Sequence, residues 1–103
     1  MPVPPKYIQE AAERALEVRK QLPPSRRAGT PVGVARARDL ARGANLSINT
    51  IRRMHSYLSR TQQAYRDAKA DGKDINTSKQ ILATGLWGGP RALAWVRGIL
   101  NNL

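Results

Sequence analysis

The chain is predicted to be an all-α domain of four to five short helices, on three observations. Apolar residues recur at steps of three and four through every long segment, the 3.6-residue period that lays one face of a helix on a core. These segments are separated by helix starters and breakers: Pro23-Pro24, Gly29-Thr30-Pro31, Ser47, Asp71-Gly72 and Trp87-Gly88-Gly89-Pro90. No stretch alternates with the period of two that marks a half-buried strand. A length of 103 residues fits one domain with a modest core, 1–103, without a large insulated cavity. Within it, residues 1–5 read as an N-terminal arm and 23–30 as a basic linker.

Pro4-Pro5 opens the first helix, where a missing N–H costs nothing. Ile8, Ala11, Ala12, Ala15, Leu16 and Val18 carry its apolar face toward Leu22. Glu10, Glu13 and Glu17 share the polar side with Arg14 and Lys20, and Glu10 and Arg14 have the spacing of a favourable ion pair. Solvated pairing of this kind accounts for the carboxylates better than acid-base chemistry does. Pro23-Pro24 stops the helix, and Ser25-Arg26-Arg27-Ala28-Gly29 is expected to be a flexible basic connector. Thr30 caps and Pro31 begins the second helix, which continues through Val34, Ala37, Leu40 and Ala41. Arg36, Arg38 and Arg42 are spread round it too widely to meet one ligand.

The third helix runs from Ser47 to Ala70, with Ile51, Met54, Leu58, Thr61 and Tyr65 inward. Its opposite stripe is Asn49, Arg53, Ser56, Arg60 and Gln63, rich in donors and without an acid. His55, the single histidine, has no carboxylate or second imidazole beside it and is assigned to the surface or the edge of the core. Asn76 or Thr77 is expected to cap a fourth helix over Lys79 to Leu86. Pro90 then starts the last, with Leu93, Val96, Ile99, Leu100 and Leu103 on its apolar side. The expected core is Ile8, Leu16, Val34, Leu40, Ile51, Met54, Leu58, Trp87, Trp95, Val96 and Ile99. Trp87 and Trp95 could stack on bases, but a chain with no phenylalanine needs them for packing.

The formal net charge is +11, and its distribution is uneven. Residues 1–25 carry net +1 and residues 67–103 net +2, whereas Arg26 to Arg66 holds nine arginines against the one acid Asp39, net +8. A one-signed arginine segment is the footprint of a polyanion-binding surface, and solubility alone does not call for it. No apolar run reaches the roughly 20 residues of a membrane span, and no signal-peptide pattern opens the chain. Without cysteine there are no disulfides or thiolate metal sites. No phosphate loop, metal-ligand spacing or nucleophile-base motif is present, so neither a cofactor, a metal, nor catalysis is expected.

Leu40 to Met54, LARGANLSINTIRRM, resembles a helix-turn-helix, the unit that lays its second helix in the DNA major groove. Leu40-Ala41 stands in the first helix and Leu46-Ser47 at the start of the second. Thr50, Ile51 and Met54 match the family's Thr, β-branched and apolar positions, with Ile48-Asn49 and Arg52-Arg53 at its exposed ones. The resemblance implies a helix-turn-helix-like unit over 40–58 as the central pair of helices. It also implies a four-residue turn in which Asn45 takes the left-handed conformation. Gly43 departs from the pattern: it is about 1 kcal/mol worse than Ala inside a helix, so the first helix could end there and lengthen the turn.

A second resemblance spans about Ala11 to Arg97. Gly29-Thr30, Val32 to Ala37, Leu46-Ser47, Thr50-Ile51, Arg53-Met54, Leu86 to Gly89 and Ala94-Trp95 are similar to a small module encoded by tailed bacteriophages, stand-alone or appended to head-assembly proteins. Pro90 replaces an expected acid, and Leu58-Ser59-Arg60-Thr61 replaces an aromatic-Ala-Arg-His ending. The resemblance implies a phage protein, in the cytoplasm of an infected bacterial host or in the virion. Together with the charge, the expected function is non-catalytic binding of double-stranded DNA, without a membrane partner. Arg26, Arg27, Arg36, Arg42, Ser47, Asn49, Arg52, Arg53 and Arg60 are the candidate contacts. The alternative is a structural or interaction protein of the phage particle whose basic face meets packaged DNA or an acidic protein surface, as a homo-oligomer or bound to head proteins.

Overall fold

The computed structural model describes residues 2–103 and contains five α-helices: α1 Lys6–Gln21, α2 Pro31–Ala41, α3 Ile48–Ala70, α4 Lys79–Leu86 and α5 Ala92–Asn101. A single 3₁₀ turn, Pro24–Arg26, lies between α1 and α2, and the described residues form no strand. The fold is therefore all-α, as the periodicity predicts.

Two helix pairs make up the molecule. α1 packs along α2 and α3 packs along α5, while the short α4 touches α1, α2 and α3. α2 and α3, although consecutive, do not pack along each other's lengths. α1 approaches α4 closely because its buried face is small. Ala12 and Ala15 are fully buried there, and a Cβ added to Gly85 of α4 would lie 2.9 Å from the Ala15 Cβ. Leu40, Ile51, Met54, Leu82, Leu86 and Val96 fill the remaining centre and are fully buried. Each such side chain contributes about 1.5–3 kcal/mol relative to exposure.

This close packing changes the core membership expected from periodicity. Leu16, Trp87, Trp95 and Ile99 are only half-buried against the core, Val34 is half-buried outside it, and Leu46, Leu82, Leu86 and Leu93 take the buried places. Leu103 lies past the end of α5 and is 70% exposed. In α3, Ile51, Met54 and Leu58 are buried, whereas Thr61 and Tyr65 are half-exposed.

Both flanking segments are more fixed than expected. The N-terminal arm is tied down: the Leu46 N–H donates to the Pro2 carbonyl at 2.8 Å, Gln9 Nε2 donates to the Pro4 carbonyl at 2.8 Å, and Pro4 is fully buried. In the linker, Arg27 donates to the Leu22 and Lys20 carbonyls at 2.9 and 3.2 Å, and Arg19 Nε donates to the Ala28 carbonyl at 2.9 Å. Arg27 thus satisfies carbonyls at and just beyond the C-terminus of α1, whose helix donors have run out, and Arg19 ties the far end of the linker back to α1.

Three boundaries are shifted. Ser78, not Asn76 or Thr77, caps α4 by accepting the Ile81 N–H at 3.2 Å. Thr77 is already committed, since its hydroxyl accepts the Asp74 N–H and the Asp74 carboxylate accepts the Asn76 N–H. α5 begins at Ala92, two residues after Pro90, because α4 ends in a closed turn first: the Gly89 N–H reaches the Thr84 carbonyl at 2.9 Å and the Gly88 N–H the Gly85 carbonyl at 3.0 Å. The α2–α3 connection spans six residues, 42–47, instead of four. Gly43, with φ +68°, takes its left-handed position, and Asn45 does not have positive φ. The Ala44 N–H donates to the Asp39 carbonyl and the Gly43 N–H to that of Leu40, so the helix closes two residues earlier than the ideal motif requires.

Candidate nucleic-acid interface

The N-terminus of α3 is built locally. Ser47 Oγ accepts the Thr50 N–H at 3.1 Å and donates to Thr50 Oγ1 at 3.0 Å. Leu46 just before the cap and Ile51 in the first turn are both buried, the positions of a hydrophobic staple that sets the entry angle of the chain. Ser47 is thus occupied in holding the helix end, and its hydroxyl proton is already used. Ile48, expected at an exposed position, is half-buried.

Beyond this turn Asn49, Arg52, Arg53, Ser56, Arg60 and Gln63 are exposed. Among the described residues, no carboxylate lies within ion-pair distance of Arg26, Arg52, Arg53 or Arg60. Both ion pairs converge on Asp39, with Arg36 at 3.4 Å and Arg42 at 2.9 Å. The Arg36 side chain is 13% exposed and its Nε is buried without a partner, so Arg36 belongs to the packing of α2. Arg42 is 70% exposed and keeps most of its guanidinium toward solvent. Arg27 is held at the end of α1, and Arg26 lines a separate cleft that also includes Lys79 at the start of α4.

Sequence reasoning missed two groups. Arg38, Arg19 and Lys20 join Arg27 around a cleft of about 280 Å³ between α1 and α2, floored by Leu16 and Val34. The available signal was that Arg38 follows Val34 by four residues while Arg19 and Lys20 close the apolar run of α1. The second is Tyr57. Its ring stacks on Trp87 with centroids 4.6 Å apart and planes at 14°, and the Arg60 guanidinium carbon lies 5.8 Å from the Tyr57 ring centre. Tyr57 follows Arg53 by four residues and precedes Arg60 by three, so it stands within the arginine stripe.

Comparison with protein-family models, curated proteins and solved structures finds no match to this chain. The chemistry available therefore follows from the arrangement alone. Guanidinium groups without counter-charges can take phosphate oxygens, often bidentately, and an exposed asparagine near a helix start can read a base edge. Among the described residues, no helix is long and apolar enough to cross a membrane.

Proposed function

We propose that this protein binds double-stranded DNA without catalysis, through the outward face of α3. The observation that carries this reading is the exposed stripe of Arg52, Arg53 and Arg60, which has no carboxylate partner among the described residues. Exposed like charges held on one helix repel one another, and phosphates relieve that repulsion while releasing counterions from DNA. Arg42 in the turn before α3 extends the contact, Arg26 in its separate cleft lies outside it, and Asn49 reads a base edge. In this reading α3 enters the major groove as a single basic helix, since α2 packs on α1 and not along α3 and is set apart from it by the six-residue turn. Arg36 and Ser47 act indirectly, by positioning Asp39 with Arg42 and the start of α3.

Fluorescence anisotropy of a labelled duplex, at two salt concentrations, tests the reading. Affinity that falls steeply with salt and drops in Arg53→Gln and Arg60→Gln supports it; absence of binding at low salt sinks it. A second reading, a component of a phage particle, draws support from the segregation of charge. The basic charge is concentrated between Arg26 and Arg66, while α1 mixes Glu10, Glu13 and Glu17 with Arg14 and Lys20, so the chain presents one basic face suited to packaged DNA or an acidic protein neighbour. Co-sedimentation with phage heads, without affinity for free DNA, would favour that role.

A further inference from the structure

We infer that the cleft beside the Tyr57–Trp87 stack holds a single unpaired nucleobase of DNA, next to the phosphate-binding stripe. This rests on the DNA-binding reading and gives the same face a second ligand form. The cleft is lined by Gly29, Thr30, Tyr57, Arg60, Ala83 and Trp87, and its volume of about 330 Å³ lies at the lower end of small-ligand sites, which run from about 300 to 1,000 Å³. It is thus sized for one small planar group rather than a helix or a loop.

Its walls have the composition that single strands select. Two aromatic rings are already stacked, fixed by the core beneath them, so they offer a π-surface without an ordering cost on binding. Tyr57 is bracketed on α3 by Arg53 and Arg60, seven residues apart, or roughly 10 Å along the helix at 1.5 Å per residue. Cations alternating with an aromatic along a groove follow a strand's backbone while a base turns inward to stack. Arg60 lines the cleft and has no carboxylate partner among the described residues, which makes the cleft's open cation complementary to the phosphate attached to that base. The Thr30 hydroxyl accepts the Gly33 N–H and keeps its own proton for a base edge or a phosphate oxygen. A duplex offers such a base only where it opens or ends.

The test compares an oligothymidylate with a blunt duplex of equal length, by anisotropy and by tryptophan fluorescence. The expected result is that the wild type binds both and that the single strand quenches tryptophan. Tyr57→Leu, which keeps apolar volume but removes the ring, should weaken oligothymidylate binding about tenfold or more, a clearly larger loss than any on the duplex. Ala83→Leu, which fills the cleft and keeps the stack, should do the same and carries the test if Tyr57→Leu fails to fold. Duplex binding without oligothymidylate binding, or oligothymidylate affinity untouched by a folded cleft variant, overturns the inference and leaves the duplex reading standing. No binding of either form overturns both.

Discussion

Asp39 is the one acid among the nine arginines between Arg26 and Arg66, and it holds two of them. Asp39→Asn should therefore act in opposite directions on stability and binding. It leaves the largely buried Arg36 guanidinium without a counter-charge, costing about 1–2 kcal/mol at this partly exposed site. It also removes the negative charge beside Arg42, raising the net charge by one. A lower melting temperature with tighter duplex binding at low salt is the expected pair of results, and weaker binding would show that Arg42 must be held by Asp39 to reach a phosphate. Asn49→Ala should cost about 1–3 kcal/mol on a preferred duplex and little on random duplex, whereas Arg53→Gln should weaken both. Equal losses for Asn49→Ala on every duplex would remove base reading from α3. The charge of each arginine was legible in the sequence, but its freedom was not. Arg27 and Arg53 look alike until the first is found on the carbonyls of Lys20 and Leu22, because where a long flexible side chain ends depends on which unpaired acceptor lies within reach.

At the level of the elements, caps that close within three residues were legible. Thr30 and Ser47 each accept an N–H from the residue three positions on, an interaction set by local sequence. Ser78 was not, because Asp74 competes for Thr77 and the outcome depends on the whole loop. The break between α2 and α3 was recognisable, yet the length of the turn depended on Gly43. That residue has φ +68°, and a Cβ there would come 3.1 Å from Gln9 Nε2, the group that ties down the Pro4 carbonyl. Gly43→Ala should lower stability by about 1–2 kcal/mol, read as a shift in the urea midpoint, because an L-residue in the left-handed region costs about that much. An unchanged midpoint would mean that the turn relaxes into another shape. The aromatic part of the site was hidden for a different reason. Tyr57 and Trp87 are thirty residues apart, and only the packing of α4 against α3 brings their rings together.

For the molecule as a whole, the charge distribution makes a quantitative prediction. If about five phosphates are neutralised, log K against log salt should fall with a slope of about −4 to −5. A slope near zero in a binding titration would assign the arginines to something other than DNA. The all-α class and most helix limits followed from periodicity, but the core was only partly legible, since periodicity marks which face turns inward and not how closely two helices approach. Alanine-lined α1 and Gly85 bring α1 and α4 together and leave Leu16, Trp87 and Trp95 at the margin. The position of α4 has a further consequence, for synthesis. Translation proceeds from the N-terminus, so α1, α2 and the whole arginine stripe of α3 leave the ribosome before the eight-residue helix that joins them does. Until Leu86 has emerged, α3 has neither α4 nor α5 to cover Ile51, Met54 and Leu58. A released fragment ending at Ala70 should thus be cut by protease throughout α3, whereas the chain extended through Asn101 should resist. During that interval the stripe is an unfolded basic segment emerging beside ribosomal RNA, the nearest polyanion, and completing α4 and α5 is what turns it into a shaped surface.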